Sequence, residues 1–110
     1  GHEGIDRDGV MGQEVAAAAA GRILWTGTRR GYGKMVVIDH GGGLTTCYAH
    51  VSRVLVKTDD RVEGGAVIAE VGRSGNARGA HLHFEVRHEG RPVDPLPLLG
   101  GEAPAAGEPR

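Results

Sequence analysis

Residues 81–86 read His-Leu-His-Phe-Glu-Val, and this stretch indicates both a fold and a chemistry. Its apolar residues alternate with its polar residues, which is the pattern of a β-strand that is buried on one face. Side chains two positions apart on a strand lie on the same face, so we expect His81 and His83 side by side, about 6–7 Å apart along the backbone. This separation suits a single centre, at which one imidazole binds a metal and its neighbour handles a proton.

The rest of the chain also favours β-structure. It has 20 glycines among 110 residues, which is typical of a turn-rich β-protein. Residues 34–39 form a clear strand pattern, and the glycines of residues 40–43 predict a hairpin turn. The partner strand is expected over residues 44–49, with His50 at its end, a short turn over 51–54 and a further strand over 54–57.

The alanine run over residues 16–20 is helical by propensity alone, but Gly21 closes it and a strand pattern follows. We interpret this region as two short strands joined by a turn, with the alanines tightly packed. The fold class that follows is all-β, a small antiparallel β-sandwich or barrel.

Composition limits the possible organisation and partners. The length allows a single domain, predicted over residues 1–99, while residues 100–110 are rich in Gly, Ala, Pro and Glu and are predicted to be a disordered tail. A net charge of −1 and an aromatic content of 4% argue against nucleic acid as a partner. No apolar run is long enough for a membrane span, and no signal peptide is visible. Cys47 is the single cysteine, so we expect no internal disulfide and a small buried core residue.

A second motif near the start of the chain carries potential metal ligands. His2 and Asp6 are four positions apart in a glycine-bearing loop, so that their side chains can converge on one cation. Imidazole nitrogen and carboxylate oxygen both suit zinc. Together with one nitrogen from the histidine strand they give three protein ligands, and a catalytic zinc site leaves its fourth position to water. Asp8 is a rival candidate for the carboxylate.

Four motifs occur in the order found in one known family. They are His-Glu-Gly-Ile-Asp at residues 2–6, the segment from Gly31 to Tyr48-Ala49-His50, the segment from Val71 to Arg87 that contains His-Leu-His, and Pro-Val-Asp-Pro at residues 92–95. Through these motifs the chain resembles the lysostaphin/LytM-type zinc metallopeptidases, the murein endopeptidases, over residues 2–99.

The resemblance implies a set of residue roles. His2, Asp6 and His83 would bind one zinc ion, and His81 and His50 would be the catalytic histidines beside it. The implied fold is a duplicated hybrid β-motif with a groove over the sheet. The implied substrate is the stem peptide or cross-bridge of bacterial peptidoglycan, cut at a peptide bond, which places the protein in the cell envelope, in the periplasm or outside the cell.

The imidazoles can carry the proton chemistry of such a reaction, because their ordinary pKa lies near neutral pH. We interpret His81 as the general base and His50 as a second proton handler or oxyanion stabiliser, although the two roles can be exchanged. Tyr32 and Asn76 lie in loops expected to rim the groove, where each is either a substrate contact or a solvated loop residue. We expect Glu85 to alternate away from the histidine face and to be structural.

Further expectations concern histidines outside these motifs and the start of the chain. His40 and His88 are expected to be exposed and to have no functional role.

The chain begins one residue before the first ligand, whereas related domains carry an extra strand upstream, so we expect that strand to be missing. Residues 7–10 also replace an apolar, proline-containing stretch that usually follows the aspartate, so the groove wall there is expected to be unusual.

Two other functions fit parts of the sequence. A non-catalytic relative would bind peptidoglycan or activate another hydrolase, but such relatives lose metal ligands, and here all five expected positions are filled. A lipoyl or biotinyl carrier is suggested by residues 61–69, which resemble the hairpins of those domains. However, the nearest candidate lysine, Lys57, lacks the expected surroundings, and a carrier leaves the two histidines of the strand unexplained.

Overall fold

The histidine strand lies within a curled antiparallel half-barrel, and the predicted all-β class is confirmed. The structure is a computed structural model that describes residues 11–72 and 81–94 in full and residues 5–8 by their backbone. The strands of these residues are β1 (Ile5–Asp8), β2 (Glu14–Ala16), β3 (Gly21–Arg29), β4 (Gly33–Asp39), β5 (Leu44–Val54), β6 (Arg61–Val62), β7 (Val67–Val71), β8 (His81–His88) and β9 (Arg91–Val93). The predicted tail lies outside the described residues, which contain no helix suited to crossing a membrane.

In the sheet, β8 lies between β1 and β5, and residues of both strands lie opposite its histidines. The strand order is β1-β8-β5-β4-β3-β6, and all pairings are antiparallel. In the register of β8 with β5, Ala49 lies opposite His83 and Tyr48 lies opposite Phe84. Alternation along both strands therefore separates a polar face of β8 from an apolar one.

The apolar face of β8 belongs to the main core. Phe84 and Val86 are 2% and 3% exposed, and they pack in a cluster with Tyr48 and other buried residues of β3, β4, β5 and β7. The rings of Tyr48 and Phe84 meet edge to face with their centroids 5.3 Å apart. This cluster holds β8 in place, because aromatic and aliphatic burial is the largest favourable term that the strand can contribute.

A smaller cluster lies on the opposite face of the sheet. Met35, Cys47 and Ala49 are buried there, and Trp25, Tyr32 and Val37 pack against them. Cys47 is the small buried residue that its strand context predicts, and burial, followed by the charge of Glu85, raises the pKa of its thiol to about 12. The thiol therefore remains protonated at neutral pH, which makes it a poor nucleophile.

Strand β5 is longer than predicted. The expected turn over residues 51–54 is part of β5, whereas residues 55–57 lie outside any strand. An irregularity in register between Lys34 and Met35 of β4 marks the point at which β5 changes course. Beyond it β5 pairs with β7 through Val51 opposite Val71, so one continuous strand has three partners, β4, β8 and β7.

His40 is neither fully exposed nor idle, which corrects the expectation from sequence. Its Nδ1 donates to the carbonyl of Ala20 at 2.8 Å, and its Nε2 lies 2.7 Å from the hydroxyl of Thr46. That hydroxyl lies 2.8 Å from the hydroxyl of Tyr48, which accepts from the backbone N–H of Ala18 at 2.9 Å. The chain of hydrogen bonds ties the alanine-rich bend to the β4–β5 hairpin, because each group in it would otherwise lack a partner near the core.

His88, in contrast, is exposed as expected.

Candidate functional site

The polar face of β8 is buried around His83. His83 and Glu85 are 2% and 1% exposed, and His81 is partly exposed. The expectation that Glu85 points away from the histidines is wrong, because positions 81, 83 and 85 share the same parity and so the same face of a strand. Oε2 of Glu85 lies 2.8 Å from Nε2 of His83, so the carboxylate accepts a hydrogen bond from the ring.

Two further side chains hold the Glu85 carboxylate. Nε and Nη2 of Arg87 donate to its Oε1 at 3.2 Å and 3.0 Å, and Tyr32 forms a side-chain hydrogen bond with it. Burial, followed by this hydrogen bond and the charge of Glu85, raises the pKa of the Tyr32 phenol. Burial alone would lower the pKa of Arg87, but the hydrogen bonds and charge of Glu85 outweigh it and raise the pKa. A buried carboxylate with these partners is fully satisfied, which makes its burial tolerable.

A β-bulge places His50 on the same side as the other histidines. By simple alternation His50 would share a face with Tyr48, which points into the main core. Its backbone instead adopts a φ of 62°, in the left-handed region that few residues other than glycine adopt, although histidine, asparagine and aspartate do so more often than the rest. Bulges of this kind redirect side chains and are frequent beside active sites. The backbone N–H of His50 donates to the carbonyl of Tyr32 at 2.9 Å, which fixes the bulge to the β3–β4 turn.

Three histidine rings meet as a result. The ring centroids of His50 and His81 are 5.1 Å apart, and those of His50 and His83 are 6.1 Å apart. The ring of Tyr32 packs at 5.9 Å from that of His83. The structure thus brings together the two histidines predicted to be catalytic, one predicted metal ligand and one predicted substrate contact. A role of Tyr32 in contacting substrate stays a prediction.

The other predicted site residues are described in part or not at all. The backbone register places Asp6 directly opposite His83 and Asp8 opposite His81, while His2 and Asn76 lie outside the described residues. Gly72 and His81, which flank the segment that contains Asn76, are joined directly, because the N–H of His81 donates to the carbonyl of Gly72 at 3.1 Å. A Cβ at Gly72 would lie 2.5 Å from the backbone nitrogen of Ser52, so only glycine permits this approach.

The described residues show in part whether this site suits a zinc ion. Within residues 11–72 and 81–94, no three His, Cys, Asp or Glu side chains are grouped closely enough to hold a metal ion. Two of the three predicted ligands are not among those side chains, since His2 and the carboxylate of Asp6 are not described. The third, His83, has its Nε2 engaged by a carboxylate, an arrangement that is typical of histidines that bind zinc through the other nitrogen. The chemistry of the one predicted ligand whose side chain is described therefore fits zinc.

Sequence reasoning missed Glu85 and Arg87. The signal was present, because both continue the two-residue period of His81 and His83 along β8. A run of four polar side chains on one face of a strand whose other face is core predicts a polar network, provided that the parity is counted correctly.

Comparison with known proteins agrees with this fold. The model of peptidase family M23 matches residues 1–95, and the chain belongs to that family. The catalytic domain of lysostaphin from Staphylococcus simulans superimposes with a TM-score of 0.83 at 29% identity, over 91% of this chain and 80% of that one. A zinc-containing peptidase from Vibrio cholerae gives a TM-score of 0.83 at 33% identity, over 94% of this chain and 31% of the other.

Relatives of similar sequence are named as a lipoprotein, an enzyme and an activator. Outer membrane antigenic lipoprotein B of Haemophilus influenzae is 44% identical over 90% of this chain and 24% of its own length. The DD-carboxypeptidase/endopeptidase Mpg of Neisseria meningitidis is 43% identical over 86% and 22%, and the murein hydrolase activator NlpD of Salmonella dublin is 39% identical over 90% and 26%. The chain spans about a quarter of the length of these relatives, which include both a named enzyme and a named activator.

Proposed function

We propose that this chain is a zinc-dependent endopeptidase that hydrolyses peptide bonds in the stem peptides or cross-bridges of bacterial peptidoglycan. The observation that carries the proposal is the meeting of His50, His81 and His83, with His83 buried and its Nε2 hydrogen-bonded to a carboxylate. The bulge at His50 adds weight, because residues held in sparsely populated backbone conformations cluster at active sites. A location in the cell envelope is part of this proposal, and the name of the Haemophilus influenzae relative, an outer membrane lipoprotein, supports it.

Three residues are proposed to hold one zinc ion, namely His2, Asp6 and His83. When bound, zinc polarises the scissile carbonyl and lowers the pKa of a bound water to about 7. The backbone register supports Asp6 over Asp8 as the carboxylate ligand, since Asp6 lies opposite His83.

The proton steps are assigned to the other two histidines. His81 is partly exposed and can meet a substrate, so it accepts the proton of the attacking water and passes it to the leaving amine. His50 is 4% exposed and packs against His81. It therefore stabilises either the charge on the carbonyl oxygen or the charge on the protonated His81 ring. Tyr32 and Asn76 are proposed as substrate contacts at the rim of the groove.

A non-catalytic activator of another murein hydrolase is the second candidate. Names of relatives favour it, since both the Salmonella relative and the matching Escherichia coli protein are called murein hydrolase activators. The residues of this chain favour the enzyme, because each position assigned to zinc binding or proton transfer carries a histidine or an aspartate.

One experiment separates the two candidates. The purified chain, loaded with zinc, is incubated with purified peptidoglycan in the absence of any other hydrolase, and new amino groups and released muropeptides are measured by mass spectrometry. An endopeptidase releases new amino groups, loses this activity on chelation and regains it with zinc. His88→Ala, a change at an exposed histidine outside the site, should leave the rate unchanged. If no amino groups appear, while an added murein hydrolase is stimulated, the activator is correct and the endopeptidase proposal fails.

A further inference from the structure

The polar face of β8 continues beyond the histidines as a ladder of hydrogen-bonded side chains, buried at His83 and Glu85 and partly exposed at Arg87. His83, Glu85 and Arg87 follow one another at two-residue intervals, and the Glu85 carboxylate divides its oxygens between the other two. Oε2 faces the His83 ring, and Oε1 accepts both hydrogen bonds from Arg87. Nη1 of Arg87 also donates to the carbonyl of Gly90 at 3.3 Å, so the guanidinium is anchored to the β8–β9 turn.

The chemistry of this ladder decides which ring nitrogen of His83 carries a proton. An ionised carboxylate can only accept hydrogen bonds, so Nε2 of His83 must be the protonated nitrogen. In a neutral imidazole the lone pair then lies on Nδ1, and a metal binds through a lone pair. The side chains of His83 and Glu85 are 3% and 2% exposed, so water does not compete for this hydrogen bond.

We propose that Glu85, held by Arg87, is a positioning residue that fixes the Nε2–H tautomer of His83 and so presents Nδ1 to the metal. The identity of the metal rests on the proposed function, whereas the tautomer rests on the contacts of Glu85 alone. Partners of this kind typically change metal affinity by about 10–100-fold when they are altered.

The variant Glu85→Gln gives a sharp test, because Arg87 carries only donors. The glutamine amide must turn its oxygen towards Arg87, which leaves its NH₂ group facing Nε2 of His83. Nε2 then has to accept, and the ring proton moves to Nδ1. We expect the variant to invert the tautomer and to weaken zinc binding by about 10–100-fold.

Two readouts that do not depend on hydrolysis check this expectation. The tautomer of His83 is read from the ¹⁵N chemical shifts of histidine side chains in zinc-free protein, and zinc affinity is measured by competition with a chromophoric chelator. Glu63→Gln, at an exposed glutamate, is the matched control and should change neither. In the double variant Glu85→Gln/Arg87→Met, the amide is released from Arg87 and can turn its oxygen back to His83, so part of the zinc affinity should return. A merely structural role predicts that the second change weakens binding further.

The proposal is overturned if wild-type His83 carries its proton on Nδ1, or if Glu85→Gln binds zinc within about twofold of wild type, well below the expected effect. If Glu85→Gln does not fold, the tautomer of the wild-type protein decides the matter. A wild-type protein that shows the Nε2–H tautomer but takes up no zinc supports the role of Glu85 in setting the tautomer, and it is then the proposed zinc peptidase function that fails.

Discussion

The two faces of β8 use the same backbone for opposite purposes. One face carries Phe84 and Val86 into the main core, where packing and exclusion of water hold the strand. The other face carries His81, His83 and Glu85, of which the last two are as well buried as the core residues. The comparison teaches that burial serves stability on one face and fixed geometry on the other, because a buried polar group keeps a single set of hydrogen bonds. Changes on the two faces should therefore have separable effects.

The largest effect is expected on the polar face. His83→Ala removes a proposed zinc ligand and should abolish both metal uptake and cleavage of peptidoglycan. His81→Ala removes a proposed proton acceptor, so the protein should keep its zinc and lose about 10²–10⁴-fold in hydrolysis rate.

Metal content by elemental analysis and release of amino groups from peptidoglycan, measured on both variants, check this division. Retention of full cleavage by His81→Ala would show that another group accepts the proton. Retention of zinc by His83→Ala would remove His83 from the ligand set.

An intermediate effect is expected on the apolar face. Phe84→Ala leaves a cavity beside Tyr48 and should lower the free energy of unfolding by about 3–5 kcal/mol. The ligands on the opposite face are unchanged, so folded protein should still bind zinc. Urea unfolding of the zinc-free protein measures the first effect, and zinc titration below the unfolding transition measures the second. A loss of zinc affinity in folded Phe84→Ala as large as in His83→Ala would show that the two faces are not independent.

The smallest effect concerns the bulge that joins the two faces. His50 has a positive φ, so glycine should fit its backbone better than alanine. Both His50→Gly and His50→Ala remove the imidazole, and the comparison isolates the backbone. We expect the glycine variant to be more stable by about 0.5–1 kcal/mol, since the entropy of glycine in the unfolded chain offsets part of the strain relieved.

Urea unfolding of the two variants provides the measurement, and both should have reduced hydrolysis. Equal stability, or a more stable alanine variant, would mean that the left-handed backbone at position 50 carries no strain.

Much of the fold could be predicted from local sequence patterns. The alternation in β8 and the glycine turn between β4 and β5 are local signals, and each lies where the sequence indicates. The limits of β5 could not be predicted, because an extra residue in a bulge is visible only against the partner strands. The contacts of His40 were missed for a similar reason, since Ala20 is brought to it by the path of the chain and not by sequence spacing.

The sequence by itself determined which reactive side chains this protein contains. It also determined that the histidines of β8 lie on one face, because the alternation of side chains is a property of the strand backbone. It also carried the family, through motifs that stand in a recognisable order. Only the tertiary structure decided that His50 turns towards His81 and that Glu85 lies between His83 and Arg87. These contacts depend on a bulge, on strand register and on which side chains are excluded from water, and such relations exist only between segments that folding brings together.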